Sequence, residues 1–142
     1  VRDALRRLAD DEDAWVATAS PDGRPCSVPL SFHWDGSTLL MSTRRTNPTA
    51  RNVTPRGRCV VSLGHTRDVV LVEGDAETVE GGDLDAASAD AFAAKLGWDP
   101  REQRRWVYLR ITPRQVRAWR EVNELADRLI MRDGHWLASP QA

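Results

Sequence analysis

Apolar and polar positions alternate along the first third of the chain. Trp15-Val-Ala-Thr-Ala-Ser20 and Cys26-Ser-Val-Pro-Leu-Ser-Phe-His-Trp34 carry the two-residue period of a strand. Pro21-Asp-Gly23 lies between them, and Asp35-Gly36 precedes a third apolar run. Both read as tight turns, because glycine enters positive φ without a Cβ clash. The pattern predicts a β-meander with strands at 14–20, 26–34 and 38–43.

The period changes elsewhere. Residues 2–9 place Leu5 and Leu8 on one face of a short amphipathic helix. Asn47-Pro48 reads as an N-cap with proline at the first helical position, where its missing N–H costs nothing. That helix runs through Ala50 and Val53 to Pro55-Arg-Gly57. Residues 58–64 and 68–79 are rich in β-branched side chains and predict two more strands. Gly74 inside the second marks a bulge or a close backbone approach, and Glu73 and Asp75 beside it are expected to share one face. After Gly81-Gly82, residues 83–96 predict a helix with Leu84, Ala87, Ala91, Phe92 and Leu96 as its stripe. Strands at 106–112 and 114–121, bent at Thr112-Pro113, precede a tail helix at 123–130 and a terminal Trp136-Leu137 stretch. Strands this frequent, interrupted by single helices, predict an antiparallel barrel with appended helices, not a βαβ sheet.

Composition narrows the function. The chain has 142 residues, 41% hydrophobic and 29% charged, which suits one globular domain over 1–142. A net charge of -1 removes the electrostatic case for nucleic acid or an anionic membrane. There is no apolar run of the roughly 18 residues a bilayer span needs, and no signal peptide is visible, so a cytoplasmic location is expected. Cys26 and Cys59 sit in separate strands, and His33, His65 and His135 are scattered. The expectation is free thiols and no metal site. His33 reads as a half-exposed structural residue, and Arg67 and Asp68 as a pair across their turn. Gly-x-Ser-x-Gly, a Cys beside a His and a phosphate-binding glycine loop are all missing. That absence suits a redox protein, in which the cofactor does the chemistry and the protein orients and tunes it.

Four blocks add a resemblance. They are Trp15-x-Ala-Thr-x-x-Pro-Asp-Gly-x-Pro with Val28-Pro29-Leu30 and Phe32-x-Trp34-Asp-Gly; Met41-Ser-Thr43 with Ala50-Arg-Asn-Val53; Thr66-Arg-Asp-Val-Val-Leu-Val-Glu-Gly74; and Pro113-x-x-Val116-x-Ala-Trp119 continuing through Arg128, Arg132-Asp-Gly134 and Trp136. In order and spacing they resemble the pyridoxamine-phosphate-oxidase-like superfamily of flavin- and deazaflavin-binding proteins. The resemblance implies a mainly β fold: a six-stranded antiparallel split β-barrel (the FMN-binding split barrel) with a few short helices. It implies a homodimer with two cofactor clefts along the subunit interface. It also implies contacts to the cofactor ring from Val28, Pro29, Leu30, Ser42 and Thr43, and to its tail from Asn47, Thr49, Arg51 and Asn52. Arg128 of the partner chain is expected on the far side of the cleft.

The departures matter as much. Members acting on vitamin B6 phosphates carry Arg-Leu-His-Asp-Arg, where this chain has Glu124-Leu-Ala-Asp-Arg128; their closing Arg-Leu-Ala-Pro is Leu137-Ala-Ser-Pro140 here. Glutamate for arginine reverses the charge at a phosphate contact, and alanine removes the imidazole, so vitamin B6 oxidation is not expected. Many relatives have Ser-Arg-Lys where Asn47-Pro48-Thr49 stands, while Arg44, Arg45, Arg51 and Arg56 lie near in sequence. The reading that results is an oxidoreductase using a deazaflavin coenzyme of the 8-hydroxy-5-deazaflavin type, or FMN, for hydride transfer to a small unsaturated organic substrate. The alternative is a non-catalytic protein that sequesters flavin, deazaflavin or haem.

Overall fold

Two glycine turns organise the opening meander, as the alternation predicts. Gly23 takes φ 86° and Gly36 φ 97°, and the Gly23 N–H donates to Ser20 O at 2.9 Å. The Asp35 carboxylate accepts from Ser37 N at 2.8 Å and Thr38 N at 2.6 Å, which ties the second turn. The structure is a computed structural model describing residues 1–120 and 122–137. Its elements are α1 (Arg2–Asp10), β1 (Asp13–Ala19), β2 (Pro25–Trp34), β3 (Leu39–Arg44), α2 (Pro48–Asn52), β4 (Arg56–Leu63), β5 (Val69–Val79), α3 (Ala86–Leu96) and β6 (Trp106–Trp119). A 3-10 helix (Val122–Asp127), β7 (Leu129–Arg132) and β8 (His135–Trp136) follow.

The sheet runs β3-β2-β1-β4-β5-β6-β7-β8, and a β3–β6 pairing closes its first six strands into an antiparallel barrel. β3 pairs with β6 along its whole length, Leu39–Arg44 against Trp106–Ile111. Its pairing with β2 is confined to Phe32–Trp34 against Leu39–Met41. Beyond that point the two strands part, and residues 25–31 of β2 have β1 alone as a strand partner. The barrel is therefore split along the β2–β3 seam.

Inward positions follow the alternation. Val16, Phe32, Met41, Val61, Val72 and Ile111 fill the barrel, and Ala4 and Leu8 of α1 bury in the same cluster with Leu5 packed beside them. A second cluster lies outside the barrel wall, where Leu84, Ala89 and Phe92 cover Leu40 and Tyr108. Leu84, Phe92 and Leu96 of the predicted stripe take part, whereas Ala87 does not. Leu84 precedes the helix, Asp85 is the N-cap accepting from Ser88 N at 2.9 Å, and Ala87 is exposed. Gly97 ends α3 in the left-handed conformation at φ 76°.

Two further expectations need correction. The strands expected at 106–112 and 114–121 are the single strand β6. Glu73 faces Gln115 and Gly74 faces Pro113, so Arg114 is an extra residue and a bulge absorbs the bend. The tail helix expected over 123–130 ends at Asp127, and residues from Leu129 form a hairpin through Asp133 (φ 53°) and Gly134 (φ 81°). Residues 138–140 and the side chain of Glu124, used in the family comparison above, lie outside the described residues. Among the described residues no helix is long and apolar enough to cross a membrane.

Candidate functional site

The split seam is where the candidate residues meet. Val28, Pro29 and Leu30 lie on the part of β2 whose second edge has no strand partner. Their side chains divide between faces. Val28 and Leu30 stand opposite the buried Val16 and Ala14, and Leu30 packs on the core. Pro29 is exposed on the outer face, opposite Trp15, which is 52% exposed. Ser42 and Thr43 likewise alternate. Ser42 is opposite Tyr108 on the face that α3 covers, and its hydroxyl donates to Val107 O at 2.9 Å. Thr43 is buried on the inward phase of Leu39 and Met41.

α2 sits across the seam on side-chain contacts to three strands. Asn47 Nδ2 donates to Thr43 Oγ1 at 2.9 Å, Asn52 Nδ2 to Thr18 Oγ1 at 3.0 Å, and Cys26 Sγ lies 3.8 Å from Thr49 Oγ1. Asn47 has the extended backbone of an N-cap, yet its side chain does not cap α2, because its amide is turned to Thr43. Thr43, Asn47, Thr49 and Asn52 are thus brought together over a floor of Thr18 and Cys26. Sequence reasoning missed that floor, although Thr18 is a polar residue on the buried phase of β1, and that is a signal of it. Arg51 and Arg44 project to solvent, and the Arg44 guanidinium lies 5.6 Å from the centre of the Trp106 ring. Arg45 is committed elsewhere, with both terminal nitrogens 2.8 Å from Glu80 and Nε donating to Arg104 O. Arg128 is at the other end of the barrel. Its guanidinium is 5.8 Å from the Trp119 ring centre, and Trp119 faces Val69 at the start of β5.

A second feature crosses the outer faces of β1, β4, β5 and β6. It is an open groove of about 540 Å³ bordered by Ala17, Arg58, Val60, Glu73, Asp75 and Arg114. Glu73 and Asp75 share this face, as expected, and each is matched with an arginine. Arg114 Nε donates to Asp75 Oδ2 at 2.6 Å, and Arg117 lies 3.6 Å from Glu73. The expected Arg67–Asp68 pair is not formed. Asp68 instead pairs with Arg7 at 2.9 Å and with Arg120 at 3.7 Å, because α1 brings Arg7 over the β4–β5 turn.

Titration behaviour separates these side chains. Partial burial and the nearby Lys95 ammonium hold His33 below its ordinary value, against an opposing pull from Asp35. His33 is therefore neutral at pH 7. Burial, helped by Asp75, pushes the Cys59 thiol up to about 12. At pH 8 the native protein should release about one equivalent of thionitrobenzoate from Ellman's reagent, from the half-buried Cys26, and a second only after unfolding. Rapid release of two equivalents from folded protein would contradict the burial of Cys59. The raised value also favours the folded state below pH 9.0, and this contribution is lost as the pH climbs from there toward about 12. Among the described residues no group of three metal-ligating side chains occurs.

Similar folds are found among solved structures. An F420 reductase is 21% identical with a TM-score of 0.60, over 78% of this chain and 93% of that one. A FAD-binding protein from Mesorhizobium loti is 22% identical with a TM-score of 0.65, covering 80% and 87%. General stress protein 26 from Bacillus anthracis is 18% identical with a TM-score of 0.61, covering 83% and 92%. At these identities the likeness is one of fold. No curated protein matches the chain. The split seam bridged by α2 and the six-strand closure agree with a match over residues 2–120, and the chain belongs to the pyridoxamine 5'-phosphate oxidase family.

Proposed function

We propose that the protein is a homodimeric oxidoreductase that holds a deazaflavin coenzyme, or FMN, at the β2–β3 seam and passes hydride to a small unsaturated organic substrate. The observation that carries this reading is the open edge of β2 at Val28–Leu30, lying beside α2 and next to an uncovered apolar patch. Trp15 and Pro29 stand side by side on an outer face that no other element of the described chain covers. A patch containing a half-exposed tryptophan is a natural place for a second copy. Arg128 and α2 lie at opposite ends of one barrel. A twofold axis through the outer face brings the partner's Arg128 toward the α2 end, which favours a cleft completed by two chains.

The residues present fit such a group in part. Arg51 and Arg44 make no ion pair among the described residues and suit an anionic tail, replacing the Arg-Lys pair that Pro48-Thr49 lacks. The unpaired β2 edge suits the hydrogen-bonding rim of a flat ring. Asn47 is bonded to Thr43 and Asn52 to Thr18, so the two pairs shape the floor and hold α2 in place. A bound deazaflavin supplies a two-electron hydride carrier, and the chain's part is to orient it and keep water out. Sequestration without turnover is the second reading, favoured by Ser42, whose proton is already committed to Val107 O.

Fluorescence titration with the oxidised deazaflavin coenzyme and with FMN tests the reading. Binding of one of them is expected, weakened about ten- to a hundredfold by Arg51→Glu, the range of a lost charge-assisted contact. Sedimentation should show a dimer that Trp15→Glu dissociates. Tight binding with no oxidation of the reduced coenzyme by a quinone or enone panel selects sequestration. No binding of either coenzyme removes the redox reading and flavin or deazaflavin sequestration, and a haem titration then decides sequestration of haem.

A further inference from the structure

The outer groove has a charge that the ladder leaves unmatched. Arg58 on β4 stands opposite Asp75 on β5, the position where a cross-strand ion pair would form. The bulge at position 114 intervenes. It turns Arg114 onto the same face, and Arg114 Nε takes the Asp75 carboxylate at 2.6 Å. Arg58 is exposed and, among the described residues, makes no ion pair or side-chain hydrogen bond. Beside it Ala17 and Val60, adjacent in the β1–β4 register, form a flat half-buried apolar floor. Glu73 and Asp133 border the same groove.

From this arrangement we infer that the groove is a binding site for a small planar monocarboxylate, gripped by Arg58 and laid flat on Ala17 and Val60. The guanidinium fork matches a carboxylate bidentately. Asp133, the border carboxylate that no arginine matches among the described residues, disfavours a second negative charge, which argues against a phosphate dianion or a dicarboxylate. The site runs from Ala17 of β1, two residues along the same face from Trp15, across β4 to β6, and needs no bound coenzyme. Taking such an acid as the hydride acceptor rests on the redox reading above; its binding at Arg58 does not.

Isothermal titration of the full chain with cinnamate, cinnamyl alcohol and inorganic phosphate, without coenzyme, is the test. Cinnamate should bind about tenfold or more tighter than the alcohol, and phosphate more weakly than cinnamate. Arg58→Gln should bring cinnamate to the level of the alcohol, and Arg58→Lys should weaken it severalfold. Arg104→Gln, a cation outside the groove, should change nothing. Equal binding of acid and alcohol, no binding of cinnamate, tighter binding of phosphate, or unchanged binding in Arg58→Gln overturns the assignment. Should Arg58→Gln not fold, as judged by its melting curve, unchanged cinnamate binding by Arg58→Lys overturns it instead. Cinnamate binding in a protein that binds neither flavin type removes the redox reading and keeps this site; coenzyme binding without cinnamate binding does the reverse.

Discussion

Phe32→Ala lowers the free energy of unfolding by about 3–5 kcal/mol, the cost of a buried aromatic replaced by a cavity. Phe32 is fully buried at the last point where β2 still pairs with β3, opposite Met41. Its ring also seats the chain's only lysine. Lys95 Nζ is 4.5 Å from the ring centre and donates to Asp11 O at 2.7 Å, which ties the end of α3 to the end of α1. Truncation therefore removes packing inside the barrel and loosens two helices at once. Set against the roughly 5–15 kcal/mol of a typical domain, the loss brings the chain near its threshold. Urea denaturation measures it, with Phe32→Leu expected to cost far less. A loss under about 1 kcal/mol would place Phe32 outside the load of the core.

Gly74→Val is the second large effect, and its sign is what makes it informative. Strand propensity alone favours valine over glycine by up to about 1 kcal/mol. The structure predicts the opposite. A Cβ at Gly74 would lie 2.8 Å from Thr112 O and 2.9 Å from Ile111 Cγ2, and Thr112 O is backbone that cannot step aside. The close approach exists because β5 and β6 bend together at the Arg114 bulge. Overpacking of this kind costs about 1–3 kcal/mol or more, and valine's branched Cβ places it at the upper end, with Gly74→Ala between. A valine variant as stable as the parent would mean that the bend is not held in this way.

Local chemistry was readable in the residues, and long-range chemistry was not. The Asp-Gly turns, the alternating β1 and β2 and the Asn47-Pro48 start of α2 depend on neighbours within a few positions, and all are found. Pro113 misled because proline inside a strand ordinarily marks an end. Here it is buried beside a bulge, opposite a glycine that makes room. Ala87 misled because the stripe was counted from Leu84, which precedes the helix. Within the site, Asn47 was legible as a cap. That its amide would turn to Thr43 depends on where β3 ends relative to α2. The alternation likewise could have separated Ser42 from Thr43, since adjacent strand residues face opposite ways. That Asp75 would pair with Arg114 and leave Arg58 without it needed the β5–β6 register, which no periodicity in the chain encodes.

Closure through β3 and β6 also bears on how the ring of strands assembles. Neighbouring hairpins such as β1–β2 and β4–β5 join positions close in the chain and zip locally. Leu39 against Ile111 joins positions half the chain apart, and the entropy of that large loop falls on this single joint. A refolding chain is thus expected to complete its local ribbons first and shut the cylinder last. Mutations along Leu39–Arg44 should then act mostly on how fast the closed form reopens, which is the quantity that governs survival under proteolysis or heat.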